Sequence, residues 1–398
     1  MKHFFRYLGP GIITAALVFG PGSLTITSKL GSLCAYQHVW VIVVAIALMI
    51  IYTEMGARVG IATDASLLAN VRQKWGRGAS VLLGVGIFAI TASFQAGNTV
   101  GASLAFAELF GTSTSPWIVA FTLVGMSLLF FRSFYQVLEK VMIGLVAVML
   151  LSFLITLLLA RPDGQALVAG VIPRLPSGSE GLTIALVASS FSVVGAFYQG
   201  YLVQEKGWQR TQIKQGVRES MAGVMVLGTI SLFILINAAA ILYPQGIRVN
   251  SATDMGLALA PLYGNTATII FMLGLFGASF SSLIGNATIG GALLSDAFTL
   301  GSQLTARNVR GMILLVMVFG AGIALVFGRL PLELIVFAQA ITVVIAPLVG
   351  IALLGLANDA SRMQELKNNV WSNVGGGIGL LLLLFLSASQ VYLLFISH

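Results

Sequence analysis

Eleven stretches of about 20 mostly apolar residues follow one another along this chain, near 9–33, 39–57, 79–110, 116–131, 138–160, 182–204, 220–243, 263–298, 310–328, 332–356 and 372–396. A helix of about 20 residues crosses roughly 30 Å of hydrocarbon. Backbone in hydrocarbon must satisfy its own hydrogen bonds, which leaves helices or a closed barrel. Nothing alternates at period two over ten-residue segments, as a barrel would require. The chain is 58% hydrophobic and only 9% charged over 398 residues, too little charge to clothe a soluble domain of that size. It reads as an all-α polytopic membrane protein, a single transmembrane domain over 1–398 whose solvent is the lipid bilayer.

A net charge of +8 would suit an anionic partner, but its distribution gives a simpler account. With the N-terminus in the cytoplasm, 16 of the 21 Lys and Arg fall on inside segments, Lys2, Arg58, Arg72, Lys74 and Arg210 among them. Only Arg161, Arg174, Arg248 and Arg329 fall outside, and Lys29 lies within a span. This is the positive-inside bias, which orients a membrane protein and calls for no nucleic acid. The expectation is a cell-membrane protein, monomeric, with its C-terminus outside. MKHFFRYLGPG leads into the first span without a cleavage site, so that span reads as retained. The lone Cys34 rules out an internal disulfide framework, and no Cys/His spacing suggests a metal cofactor. No nucleophile–base pair or phosphate loop points to an enzyme, and no cofactor is expected.

The first span is interrupted by Gly20-Pro21-Gly22-Ser23. Proline removes a backbone donor and clashes with the preceding turn, and the flanking glycines lower the cost of leaving the helix. A second span (182–204) is loosened at Ser192-Val193-Val194-Gly195, without proline. Paired breaks in the two halves of a membrane chain point to a transporter's substrate site. Spans 1–5 (about 9–160) and 6–10 (about 182–356) each number five, so the second set is expected as an inverted repeat of the first, with an eleventh helix (about 372–396) added. Half-helix ends present partial charges, so such a site can hold a solute without an ionised side chain.

Ionisable residues within the spans are functional candidates by default. Glu54 sits four residues before Arg58, a spacing that favours a local ion pair. Glu108 lies near the outer end of its span. Lys29 lies six residues beyond Ser23, where it either snorkels to the interface or places a positive charge over an outer vestibule. His38 reads as interfacial.

Several segments resemble the NRAMP family of proton-coupled divalent-metal transporters: "GPGIITAALVFGPGS", "ARVGIAT", "LEKVMIGLVAVMLLSFL", "YLVQEKGW", "LFGASFSSLIGNATIGGALLSDAF" and "ANDASRMQELKNN". The resemblance implies a LeuT-type fold, a 5+5 inverted repeat with spans 1 and 6 unwound around a central site. It also shows what is missing. The family's first motif, Asp-Pro-Gly-Asn, is matched here by Gly20-Pro21-Gly22-Ser23, and its Met-Pro-His by Ser192-Val193-Val194. The family's acidic pair falls on Gln95 and Asn98, and a second histidine on Gln199; a glutamine is retained as Gln339.

The candidate site residues are therefore Gly20, Pro21, Gly22, Ser23, Ser192, Val193, Gly195, Gln199 and Gln339. Gln95, Asn98, Glu108 and Lys29 are the coupling candidates. Other neutral polar residues within the spans are Thr14, Thr25, Thr27, Ser189 and Asn286. The expected activity is NRAMP-like secondary transport by alternating access. The substrate is nominally a divalent metal ion at an uncharged site, without proton coupling. The alternatives are transport of an organic or anionic solute, and a non-transporting sensor or partner subunit.

Overall fold

The computed structural model describes residues 20–130, 137, 140, 144, 147, 151, 153–158, 161–249, 265–327 and 332–395. Thr14, the first half of the 9–33 span, most of the 138–160 span and Arg329 lie outside these. The described residues form helices α1 (Pro21–Cys34), α2 (Val39–Ala62), α3 (Leu67–Phe110), α4 (Thr114–Leu128), α5 (Gly164–Ala169), α6 (Glu180–Ser190) and α7 (Val193–Glu205), then α8 (Ile213–Ile241), α9 (Asn265–Ala297), α10 (Arg307–Phe327), α11 (Leu332–Ala357), α12 (Ala360–Met363) and α13 (Val370–Phe395). No strand occurs among them. Among the described residues, eight segments are long and apolar enough to cross a membrane, α6 and α7 counting together.

Local chemistry sets the boundaries. Ser66 caps α3 by accepting from the Ala69 N–H at 3.1 Å, and Gly111 ends it in the left-handed conformation at φ 62°. Gly76, at φ 87°, bends α3 near its start. The segment before that bend is helical, whereas the hydropathy pattern starts the span only at 79. Pro21 opens α1 at its first helical position, where its missing N–H costs nothing.

Two layers organise the bundle. The α3–α9 interface is the most extensive in the molecule, and α10 packs against both. Separately, α2 packs on α7 and α8, and α8 on α1. Contacts between these two groups are sparse along α1–α9 and α3–α7. Small residues permit the close crossings: a Cβ on Gly60 would stand 2.3 Å from the Gly200 carbonyl oxygen, so α2 and α7 touch backbone to backbone. The α9 span and the α6–α7 pair are 83% and 78% buried, against 28% for α13, which places α6, α7 and α9 centrally and α13 at the lipid-facing edge.

Candidate substrate site

The second helix break is real but narrower than its sequence suggests. α6 ends at Ser190, Phe191 and Ser192 leave helical geometry, and α7 resumes at Val193. Ser192 is the N-cap of α7, its Oγ accepting from the Gly195 N–H at 3.2 Å. The run of small residues at 193–195 is thus the first helical turn and not the break itself. At the other break Gly20 is the N-cap of α1, extended at φ −110° and ψ −178°, and residues 21–23 are already helical. Both corrections have one cause: a helix start needs a cap or a proline before its first turn, and those residues carry the sequence signal.

The two helix starts meet around a cavity of about 50 Å³. Gly20, Gly22 and Ser23 face it from α1, and Ser192, Val194 and Gly195 from α7. Ala188 and Ser189 line it from the end of α6, and Ile90, Thr91, Phe94 and Asn98 from α3. Asn286 and Ile289 of α9 and Gln339 and Thr342 of α11 complete the wall. No lining residue is ionisable. Among the described residues no cluster of three His, Cys, Asp or Glu could hold a metal ion.

Three of the five lining hydroxyls, those of Thr91, Ser189 and Thr342, donate to carbonyls of their own helices. Thr91 Oγ1 donates to the carbonyls of Ile87 and Phe88 at 3.1 and 3.0 Å. Ser189 Oγ donates to the Leu186 carbonyl at 3.0 Å, and Thr342 Oγ1 to the Ala338 carbonyl at 3.0 Å. Toward the cavity these oxygens only accept. Gln339 Oε1, on a residue 2% exposed, has no hydrogen-bond partner. The end of α6 contributes carbonyls that its own helix cannot satisfy. Against these acceptors stand the first amides of α1, which no side chain caps.

Asn98 explains the glycine at position 20. A Cβ built on Gly20 would lie 2.8 Å from Asn98 Oδ1 and 3.2 Å from Ser282 Oγ. Asn98 Nδ2 meanwhile donates to the Ser282 carbonyl at 3.2 Å. The carboxamide stands where a side chain at position 20 would begin, so a larger residue there requires Asn98 to move aside.

Other candidates lie elsewhere. Gln199 is fully buried and donates to Ser220 Oγ on α8 at 2.7 Å, outside the cavity. Pro21 packs against Gly101, and Val193 is buried without lining the cavity. Gln95 donates to the Leu283 carbonyl at 2.9 Å, tying α3 to α9. Glu108 is exposed, and Lys29 is half-buried and outside the lining. Arg58 Nε lies 3.5 Å from Glu54 Oε1, as their spacing suggests. His38 is buried beside Thr183, Nε2 to Oγ1 2.9 Å, and burial lowers its pKa to about 4, so it is neutral at physiological pH.

Sequence reasoning passed over Thr91 and Thr342 as lining residues. Thr91 lies two turns before Asn98 and Thr342 one turn after Gln339, so helical periodicity places each on its partner's face. It also passed over the buried carboxylates of Asp296 and Glu219.

Two helix starts meeting at a central cavity, one of them following a described break between α6 and α7, within a bundle of apolar spans, mark an α-helical membrane protein of the LeuT-type fold. Solved structures bear out that fold. A manganese transporter of Eremococcus coleocola superimposes with a TM-score of 0.79 at 19% identity, covering 100% of this chain and 89% of that one. A nucleobase-cation-symport-1 family transporter gives 0.65 at 14% identity, covering 98% and 94%. The natural resistance-associated macrophage protein-like family profile matches residues 11–394, and the chain belongs to that family. Relatives include the divalent metal cation transporter MntH of Chromohalobacter salexigens, 24% identical over 98% of this chain and 91% of that protein. The MntH of Caldanaerobacter subterraneus subsp. tengcongensis is also 24% identical, over 99% and 94%.

Proposed function

We propose that this protein is a secondary transporter that moves a divalent cation through the cavity between α1, α3, α6, α7, α9 and α11 by alternating access. Membership of a family whose relatives are named divalent metal cation transporters supports the substrate class. The observation that carries the reading is the set of acceptor oxygens carried by the lining residues Thr91, Ser189, Thr342 and Gln339. Without a carboxylate or a thioether, the site cannot strip a divalent ion of its water. It suits an ion that keeps part of its hydration shell, because those waters point hydrogens outward, toward acceptors. Gln95 and Asn98 cannot carry a proton, so transport runs without the proton relay of the family. The chain works as a monomer in the cell membrane, its basic end cytoplasmic and its C-terminus outside, as the positive-inside bias suggests.

The uncapped start of α1 favours a second reading. Free amide N–H groups at a positive helix end suit a carboxylate-bearing solute. Proteoliposome uptake separates the two. Flux of Mn²⁺, Fe²⁺ or Mg²⁺ without acidification of the vesicle interior is the expected result. Undetectable flux of all three with uptake of an organic acid would replace the leading reading. Strict proton co-movement would remove the uncoupled mechanism.

A further inference from the structure

Between the cavity and the basic end of the bundle lies a layer of buried side chains. Beyond Gly195, α7 continues through Tyr198 and Tyr201 while α9 continues through Leu293 and Asp296, and all four side chains are buried. The two tyrosine rings stack at 5.9 Å and 16°. Tyr201 O–H donates to Asp296 Oδ2 at 2.6 Å and accepts from the Leu68 N–H at 3.1 Å. One phenolic oxygen thereby joins α7 to α9 and to the first turn of α3. Arg72 of α3 donates to the Asp296 carbonyl at 3.3 Å. One turn further along α7, Glu205 Oε1 accepts from the Leu304 N–H at 3.1 Å.

These bonds cross the sparse boundary between the α3–α9 layer and the layer holding α7. Elsewhere α7 is committed to α2. A buried carboxylate is costly unless hydrogen-bonded, so Asp296 has two stable conditions: docked on Tyr201, or opened to water. Packed interfaces with two discrete arrangements are what hinge and rocking motions use.

We propose that Tyr201 and Asp296 form the latch of the gate at the basic end, positioning residues that hold α7 against α3 and α9 while the cavity is shut on that side. The proposal rests on the alternating-access reading, but its test does not depend on uptake. Cys34 is the chain's single cysteine. A Cys34→Ser background carrying Ile289→Cys places one thiol on the cavity wall. A membrane-impermeant maleimide is then applied to inside-out and right-side-out vesicles, with and without Tyr201→Phe or Asp296→Asn.

Losing a hydrogen bond to a buried charge is expected to raise labelling from the Arg72 face about tenfold or more and to lower it from the other face. The double variant should shift no further than Asp296→Asn alone. Unchanged labelling from both faces in variants that melt like the parent overturns the latch. So does a parallel rise from both faces, the mark of general loosening. Tyr201→Phe keeps the ring, so it reports even where Asp296→Asn does not fold. A labelling shift in a protein that moves no metal keeps the latch and discards the substrate reading; metal uptake without a labelling shift does the reverse.

Discussion

The cavity and the layer beneath it, about 15 Å apart along α7 at 1.5 Å per residue, solve opposite problems. Around the cavity every polar group is neutral, and an acceptor is left over, Gln339 Oε1. In the layer below, charge is present and each carboxylate meets a partner: Asp296 on Tyr201, Glu205 on the Leu304 amide, Glu219 on Lys206. A region that must exchange its occupant keeps its bonding capacity open. One that must hold two helices together spends it at the joint, as Tyr201 Oη does on both Asp296 and the Leu68 amide. The same side-chain chemistry, differently saturated, separates a binding site from a fastening.

The largest break in this contrast comes from filling the cavity. Gly20→Val would drive a branched side chain against Asn98 and Ser282, and metal uptake is expected to fall by at least about tenfold. Circular dichroism and gel filtration should show a folded protein, and near-parental uptake would mean the cavity is not the route. Gln339→Leu removes the open acceptor with only a small change in volume. A loss of one hydrogen bond corresponds to an apparent affinity about three- to tenfold weaker, read as a shift in half-saturation for uptake.

Ser192→Ala sharpens the comparison further. It deletes the cap at the α7 start and should cost about 1 kcal/mol of stability in a detergent melt. Because the Gly195 amide is then freed into the cavity, half-saturation should move with it. A melting shift with unaltered uptake would show that the cap only fastens.

The smallest effect lies outside the cavity. Asp359 is held well below the usual carboxylate range by Ser361, with Lys74 at 3.0 Å and Arg362 adding to it. A carboxylate depressed on folding stabilises above its unfolded pKa of about 3.9 and loses that contribution as pH falls through the folded value. Asp359→Asn should therefore melt slightly lower than the parent at pH 7, and the gap should begin to narrow once the medium falls below about pH 4. A gap that persists at low pH would assign the effect to packing. Since Asp359 and its two basic partners are all partly exposed, solvent screening keeps the difference small.

Much of this was legible along the chain. Apolar run length gave the spans: α9 and α11 end, and α13 begins, within about two residues of their hydropathy limits. Gly20-Pro21-Gly22 marked the first helix start because proline and glycine act through their own backbone, whatever surrounds them. The second break was placed one residue late, since Phe191 carries no such mark. Gln199 looked equivalent to Gln339 in sequence, yet one satisfies Ser220 and the other faces the cavity.

Sequence alone determined that this chain is helical, that it spans a bilayer, and that its central break carries no charge. These follow from hydrocarbon thickness, backbone hydrogen bonding and residue identity, all of which are local. Only the tertiary structure decided which oxygens remain free and which are consumed, that Asn98 fills the space beside Gly20, and that Tyr201 reaches a carboxylate 95 residues away. Hydrogen-bond saturation is a property of neighbours, and helix packing chooses the neighbours.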